Sequence, residues 1–218
     1  MSQIESPRIS ILGDGVSTFA GITLDNDLCS LYGAHNKSFT GLNTPEETWW
    51  MQVAQLMGGS ILANNSVLAS FVSHEGQFSA TQTGRLHKLR TEEAEPDLIL
   101  VYLGMTDVAN NVPLDEFQHD YMEMLTKLKI ECPQAEIWAG TIVTGTLASP
   151  DQEYSFPPEA LDKLDSYNQL IRQGVKQIHC HLADFAADKL TFPTLDGYHP
   201  TAEGMTIFAK AWYEYLKD

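Results

Sequence analysis

The sequence predicts a three-layer α/β sandwich around a mostly parallel sheet of about five strands. Three observations carry this prediction. Five short segments rich in β-branched and apolar residues recur along the chain, helical patterns lie between them, and the central segment, "DLILVYLG" at 97–104, is apolar on both faces. A strand covered by helices on both sides needs that composition, and strands alternating with helices build parallel sheets. Ligand sites in such sheets lie at the carboxyl ends of the strands.

The first segment, "RISILGD" (8–14), reads as a strand running into a glycine-rich turn. From Ile22 to Asn43 no periodicity is clear, and the stretch reads as a long loop able to cover a site. Thr44-Pro45-Glu46-Glu47 then supplies an N-cap candidate, a proline at the first helical position and a glutamate spaced for a capping box. Trp50, Val53, Ala54 and Met57 follow at three- and four-residue spacing, so a helix is expected here. "SILANNSV" (60–67) is the second strand and 97–104 the third. A helix over about Asp115 to Glu131 stops before Pro133, and "EIWAGTIV" (136–143) is the fourth strand. A helix covers about Pro158 to Gln177, and "CHLADF" (180–185) is the fifth strand. The last helix starts near Thr201 and carries Met205, Phe208, Ala209, Trp212 and Leu216 along one stripe.

With 218 residues the chain suits one domain, 1–218, and no repeat, linker or low-complexity segment divides it. The formal charge of −16 disfavours phosphate backbones and anionic lipid surfaces, so neither nucleic acid nor membrane is expected as a partner. The longest apolar run, Leu98 to Met105, is far below the roughly 18 residues of a membrane helix. The N-terminus lacks a basic stretch followed by an apolar one, so no signal peptide is expected. Cys29, Cys132 and Cys180 are an odd number without metal-ligand spacing, which suits a reduced, cytoplasmic setting.

The chemistry-bearing stretch is "DGYHP", Asp196 to Pro200, just before the last helix. A carboxylate three residues before a histidine can fold back onto one imidazole nitrogen, fixing the tautomer and leaving the other free as a base. The same turn could equally serve only to cap a helix. Its company bears on the choice: the first strand ends in "GDG", the second in "NNSVLAS" and the third in "LGMTD".

In this order and over nearly the whole chain, these stretches resemble the four sequence blocks of the SGNH/GDSL hydrolase family. "ILGDGVSTFAG" is similar to the first block, and "ETWW" at Glu47 to Trp50 resembles a subgroup of bacterial members. The resemblance implies a flavodoxin-like α/β fold and cleavage of esters, often acyl groups on carbohydrates and lipids, with a small ester or carbohydrate-like ligand and no cofactor or metal. It further implies a serine nucleophile after Gly-Asp, a histidine base oriented by an aspartate, and an oxyanion hole of two backbone N–H groups and an asparagine side chain. Carried onto this chain, those positions are Gly15, His199, Asp196, Ala69 and Thr106.

Only Asp196 and His199 match. Gly15 cannot form an acyl-enzyme, although its N–H could still donate. Ala69 keeps a backbone donor, and if the position requires positive φ the donor is either misdirected or strained. Thr106 replaces a planar amide with a shorter hydroxyl, and losing one oxyanion donor typically costs about 100- to 1,000-fold in rate. Departures at three positions fit divergence better than a single engineered change at Gly15. Two functions follow as expectations: weak ester hydrolysis by a His199-activated water, or a pseudoenzyme that binds a small ligand without turning it over.

Other candidates carry less. Ser17 lies near the missing nucleophile, but family members have a serine there in addition to it. "HCH", His179 to His181, could present two metal ligands, with surface histidines as the plainer reading. Asp25 and Asp27 could meet a cation or simply be solvated. Of Trp49 and Trp50, one is expected in the core and the other at a ligand cleft.

Overall fold

A computed structural model describes residues 6–23, 29–74, 76, 78–156 and 158–217. The strands are β1 (Arg8–Gly13), β2 (Ser60–Asn64), β3 (Leu98–Tyr102), β4 (Glu136–Gly140), β5 (Thr146–Leu147), β6 (His181–Ala183) and β7 (Pro193–Thr194). The helices are α1 (Lys37–Thr40), α2 (Trp49–Leu56), α3 (Thr83–His87), α4 (Met105–Ala109), α5 (Leu114–Glu131), α6 (Pro158–Leu161), α7 (Leu164–Ile178) and α8 (Ala202–Leu216).

Five strands form one parallel sheet in the order β2-β1-β3-β4-β6. This is the flavodoxin-like order, and its switch point, where successive connections leave in opposite directions, lies beside β1. The carboxyl end of β1 is therefore where a ligand site belongs. β5 and β7 form a separate two-stranded ribbon that the sequence reading did not anticipate. It leads into the "DGYHP" turn and fixes it: Thr194 Oγ1 accepts from Gly197 N–H at 2.9 Å, and Gly145 N–H donates to Gly197 O at 2.8 Å.

The β3 prediction holds on both faces, since Leu98 to Tyr102 are all buried. α2 packs with α8, and α5 with α7 and α3. Trp49 on α2 stacks on Trp212 of α8 with ring centroids 5.4 Å apart, and Phe208, Phe185 and Tyr102 extend the aromatic cluster to the sheet. Each such ring pair adds about 0.5–1.5 kcal/mol beyond area burial.

Several boundaries differ from expectation for local reasons. β2 stops at Asn64 because its side chain takes the Ser66 N–H at 3.1 Å and the Ser66 hydroxyl at 2.6 Å, turning the chain out of the sheet. The helix expected over 158–177 is two helices, separated at Asp162 and Lys163, where Lys163 Nζ reaches Asn111 Oδ1 at 3.1 Å. Glu47 does reach back to the Thr44 N–H at 3.2 Å, but Pro45–Glu47 is a 3-10 turn and α2 begins only at Trp49. Within the long loop, Ala34–Asn36 and Lys37–Thr40 are short helical turns.

Candidate active site

Asp196 and His199 meet as their spacing predicts. His199 Nδ1 lies 2.7 Å from Asp196 Oδ2, while Asp196 Oδ1 accepts the N–H groups of His199 at 2.8 Å and Tyr198 at 3.1 Å. Both carboxylate oxygens are thus committed to the turn, and the imidazole is held by side chain and backbone together. Gly197 permits this fold-back: its φ is +89°, and a Cβ there would meet the Tyr154 ring at 2.3 Å. Ser155 adds a donor, its hydroxyl 2.5 Å from Asp196 Oδ2 and its N–H 2.9 Å from Asp196 O. Burial works against the Asp196 charge, but the hydrogen bond and charge of His199, with the Ser155 hydroxyl, outweigh it and hold the pKa below the usual carboxylate range.

His199 Nε2 points at Gly15. A Cβ built on Gly15 would lie 2.7 Å from Nε2 and 2.8 Å from Leu68 Cδ1. The residue stands in a 3-10 turn, Gly15–Ser17, at the end of β1, capped by Asp14 through its contact with the Val16 N–H at 3.2 Å. Ser17, by contrast, is fully buried, and its Oγ accepts from Trp49 Nε1 at 3.2 Å.

Ala69 adopts φ +58°, a left-handed conformation that a residue with a Cβ favours less than glycine. The left-handed region costs a residue with a Cβ roughly 1–2 kcal/mol. The donor is strained, and among the described residues neither the Ala69 N–H nor the Gly15 N–H has a hydrogen-bond acceptor. The loop that carries Ala69 is pinned from α4, where buried Asp107 accepts the N–H groups of Val72 at 2.8 Å and Ser73 at 2.9 Å. Thr106, next to Asp107 on α4 and half-buried, has a hydroxyl without a partner among the described residues.

Beneath the site lie two buried charges the sequence reading did not pick out. Asp14 is pushed up to about 6 by burial, opposed by the Tyr198 hydroxyl at 2.7 Å, His199, the Val16 N–H and Arg85. Arg85, lowered to about 10 by burial, donates to Gly13 O at 2.8 Å, Asn65 O at 3.0 Å, Asn65 Oδ1 at 3.1 Å and Phe78 O at 2.5 Å. It binds the ends of β1 and β2 to a third loop. No feature of the sequence around Arg85 or Ser155 marks them.

The remaining candidates separate. Trp49 and Trp50 are both fully buried, Trp49 in the aromatic core between α2 and α8. Trp50 still borders an open groove of about 660 Å³ along β2, away from Gly15. His179 ends α7 at φ +56°, and His181 stacks on Trp138 at 4.6 Å, so the pair serves a helix end and a strand edge. The group that could hold a metal among the described residues is instead His74, Asp120 and Glu123, where Lys127 Nζ already meets Glu123 at 2.7 Å. Asp25 and Asp27 lie outside the described residues. Of the long loop, Tyr32 is buried and donates to Pro200 O at 2.9 Å, tying it to the base-bearing turn. The cysteines Cys29, Cys132 and Cys180 are unpaired, and among the described residues no helix is long and apolar enough to cross a membrane.

The comparisons agree with this fold. The whole chain superposes on a structure from Bacteroides ovatus ATCC 8483 named a GDSL-like lipase, at TM-score 0.71 and 18% identity, covering 97% of this chain and 98% of the other. A similarly named structure from Bacteroides uniformis ATCC 8492 gives TM-score 0.71 at 21% identity, covering 97% and 96%. Est24, a carbohydrate acetylesterase from Sinorhizobium meliloti, gives 0.66 at 15%, covering 96% and 98%. These identities speak for the fold alone. No curated protein matches in sequence. The family profile GDSL-like Lipase/Acylhydrolase matches residues 7–142, more than half of the chain. With that match, the parallel sheet and the blocks at the ends of its strands, the chain belongs to the GDSL-like lipase/acylhydrolase family.

Proposed function

We propose that this protein hydrolyses small esters slowly and without an acyl-enzyme, His199 serving as general base to a water and Asp196 as its orienter. The observation that carries the reading is the Asp196–His199 pair, closed at 2.7 Å, with Nε2 directed at the residue where a nucleophile is missing. In the first step the water oxygen bonds to the ester carbonyl carbon and its proton passes to Nε2. The carbonyl oxygen takes the negative charge, with the Gly15 and Ala69 N–H groups and the Thr106 hydroxyl as its donors. In the second step the bond to the alkoxy oxygen breaks, and that oxygen takes the proton back from the imidazolium. A positioned general base contributes about 100- to 10,000-fold. Acetylated carbohydrates are the first substrates to try, given the printed activity of Est24.

A second reading, a pseudoenzyme that holds the ligand and does not turn it over, has support in the crowding at Gly15. A Cβ on Gly15 would already lie 2.7 Å from Nε2, so the space beside residue 15 in which a water would sit is small. Hydrolysis of p-nitrophenyl acetate and an acetylated-sugar panel by the native protein beside His199→Ala decides between them. Hydrolysis that disappears in the variant supports the enzyme. Background rates in both, with calorimetric binding of an acetylated sugar, support the pseudoenzyme.

A further inference from the structure

We infer that His74, Asp120 and Glu123, where the loop bearing Ala69 meets α5, form a site for a divalent transition-metal ion of zinc's class. The three residues take no part in the proposed hydrolysis, so the inference stands apart from it.

α5 sets the two carboxylates on one face, since Asp120 and Glu123 are three residues apart and Lys127 follows a turn later. His74 arrives from the loop after β2, two residues beyond Val72, whose N–H Asp107 holds. Each of the three offers a nitrogen or oxygen within 4.8 Å of the others'. What distinguishes them from solvated surface charges is how they are held. The protein engages one atom of each side chain and leaves the second without a hydrogen bond among the described residues.

For His74 the tautomer follows from a chain of hydroxyls. Ser79 Oγ donates its one proton to Val72 O at 3.2 Å, so at the 2.8 Å contact between Ser79 and Thr81 the proton comes from Thr81. Thr81 then has none left for His74, and Nδ1, 3.0 Å from Thr81 Oγ1, is the donor. Both hydroxyl residues are fully buried, which closes the chain to solvent. Nε2 is therefore the bare nitrogen, on a ring oriented from its far side as metal-bound imidazoles are.

Asp120 is 3% exposed; its Oδ2 accepts the His74 N–H at 2.5 Å and Oδ1 is left over. A carboxylate buried this deeply calls for a positive partner as well as a neutral donor. Glu123 gives Oε1 to Lys127 Nζ at 2.7 Å, and the same ammonium donates to Thr81 O at 2.7 Å. Lys127 thus steadies Glu123 from behind without taking Oε2. His119 Nε2 stands 4.0 Å from that oxygen, one turn earlier on α5, and supplies a fourth ligand. Imidazole with carboxylate suits zinc and its neighbours, whereas calcium and magnesium prefer shells of oxygen alone.

Zinc chloride, titrated calorimetrically into the full chain after EDTA treatment, should bind at one ion per chain. At a free concentration about 100 times the dissociation constant it should raise the melting temperature by about 5–10 °C. His74→Ala and Glu123→Gln should each weaken binding by about tenfold or more. Glu123→Gln keeps the side chain's shape and its bond from Lys127, so it carries the test even where His74→Ala unsettles the loop. His179→Ala, at an exposed histidine outside the site, should leave binding unchanged. Absence of zinc binding, binding that survives both site variants, or binding lost instead with His199→Ala overturns the inference. Hydrolysis is not read at any point, so failure here is distinct from failure of the water mechanism.

Discussion

Asp14 and Asp196 sit on opposite sides of one imidazole and are treated oppositely by the fold. Asp196, at the base-bearing turn, accepts from His199, Tyr198 and Ser155 and stays charged below the usual range. Asp14, directly before Gly15, is pushed up to about 6 by burial that its donors do not offset. The difference teaches where a charge is supported. On the proposed reading, one side of the site is a hydrogen-bonded unit around a charged group, and the other offers only backbone donors, at Gly15 and at Ala69 with its positive φ.

The comparison can be broken most strongly at Arg85, which serves only the nucleophile side. Arg85→Leu strips donors from the buried carbonyls of Gly13 and Asn65 and from the Phe78 carbonyl, and a loss of about 3 kcal/mol or more is expected. That corresponds to roughly 6–12 °C in melting temperature for a chain of this length. Calorimetry measures it, and an unshifted transition would show that these carbonyls find water instead.

Next in size is the pH dependence of Asp14. Because its folded pKa of about 6 lies above the ordinary aspartate value of 3.8, the native state holds the extra proton between those values. Its contribution to stability is present below the lower value and disappears as pH rises through the upper one, a change of about 2–3 kcal/mol. Asp14→Asn should therefore gain on the native protein by about that much between pH 4 and pH 7 in urea unfolding. Asp196 runs the other way, its contribution being lost as pH falls through its lowered pKa.

Asp196→Asn should cut any His199-dependent hydrolysis at least tenfold, about 1.4 kcal/mol in the barrier, because the amide cannot balance the imidazolium. Ala69→Gly should raise the melting temperature by about 2–4 °C through relief of roughly 1 kcal/mol of strain. Smallest is Ser155→Ala, which should raise the Asp196 pKa toward its ordinary range, read by carboxylate NMR titration, with less than about a threefold change in rate.

The base side was legible in the sequence because it is local. Asp196 and His199 are three residues apart, so spacing alone brings them together, and the strands and the stripe of α8 declare themselves by composition and period. The nucleophile side was legible only as a set of positions. That Leu68 lies beside Gly15 depends on contact between two loops, and Ser155 reaches Asp196 across 41 residues. Neither residue type is unusual where it stands, so no pattern could have marked it. The split of the helix at Asp162 and Lys163 likewise has no mark in the periodicity, and Lys163 meets Asn111 there from 52 residues away.

The Arg85 clasp also sets an order of events during folding. Its bond to Gly13 O spans 72 residues, and the same guanidinium closes on Asn65 and Phe78. Closing so long a loop is entropically slow, and such contacts come after local ones. The loops bearing the Gly15 and Ala69 N–H groups cannot settle until α3 has formed and docked. In order of synthesis β1 and β2 precede the arginine that ties their ends to the Phe78 loop.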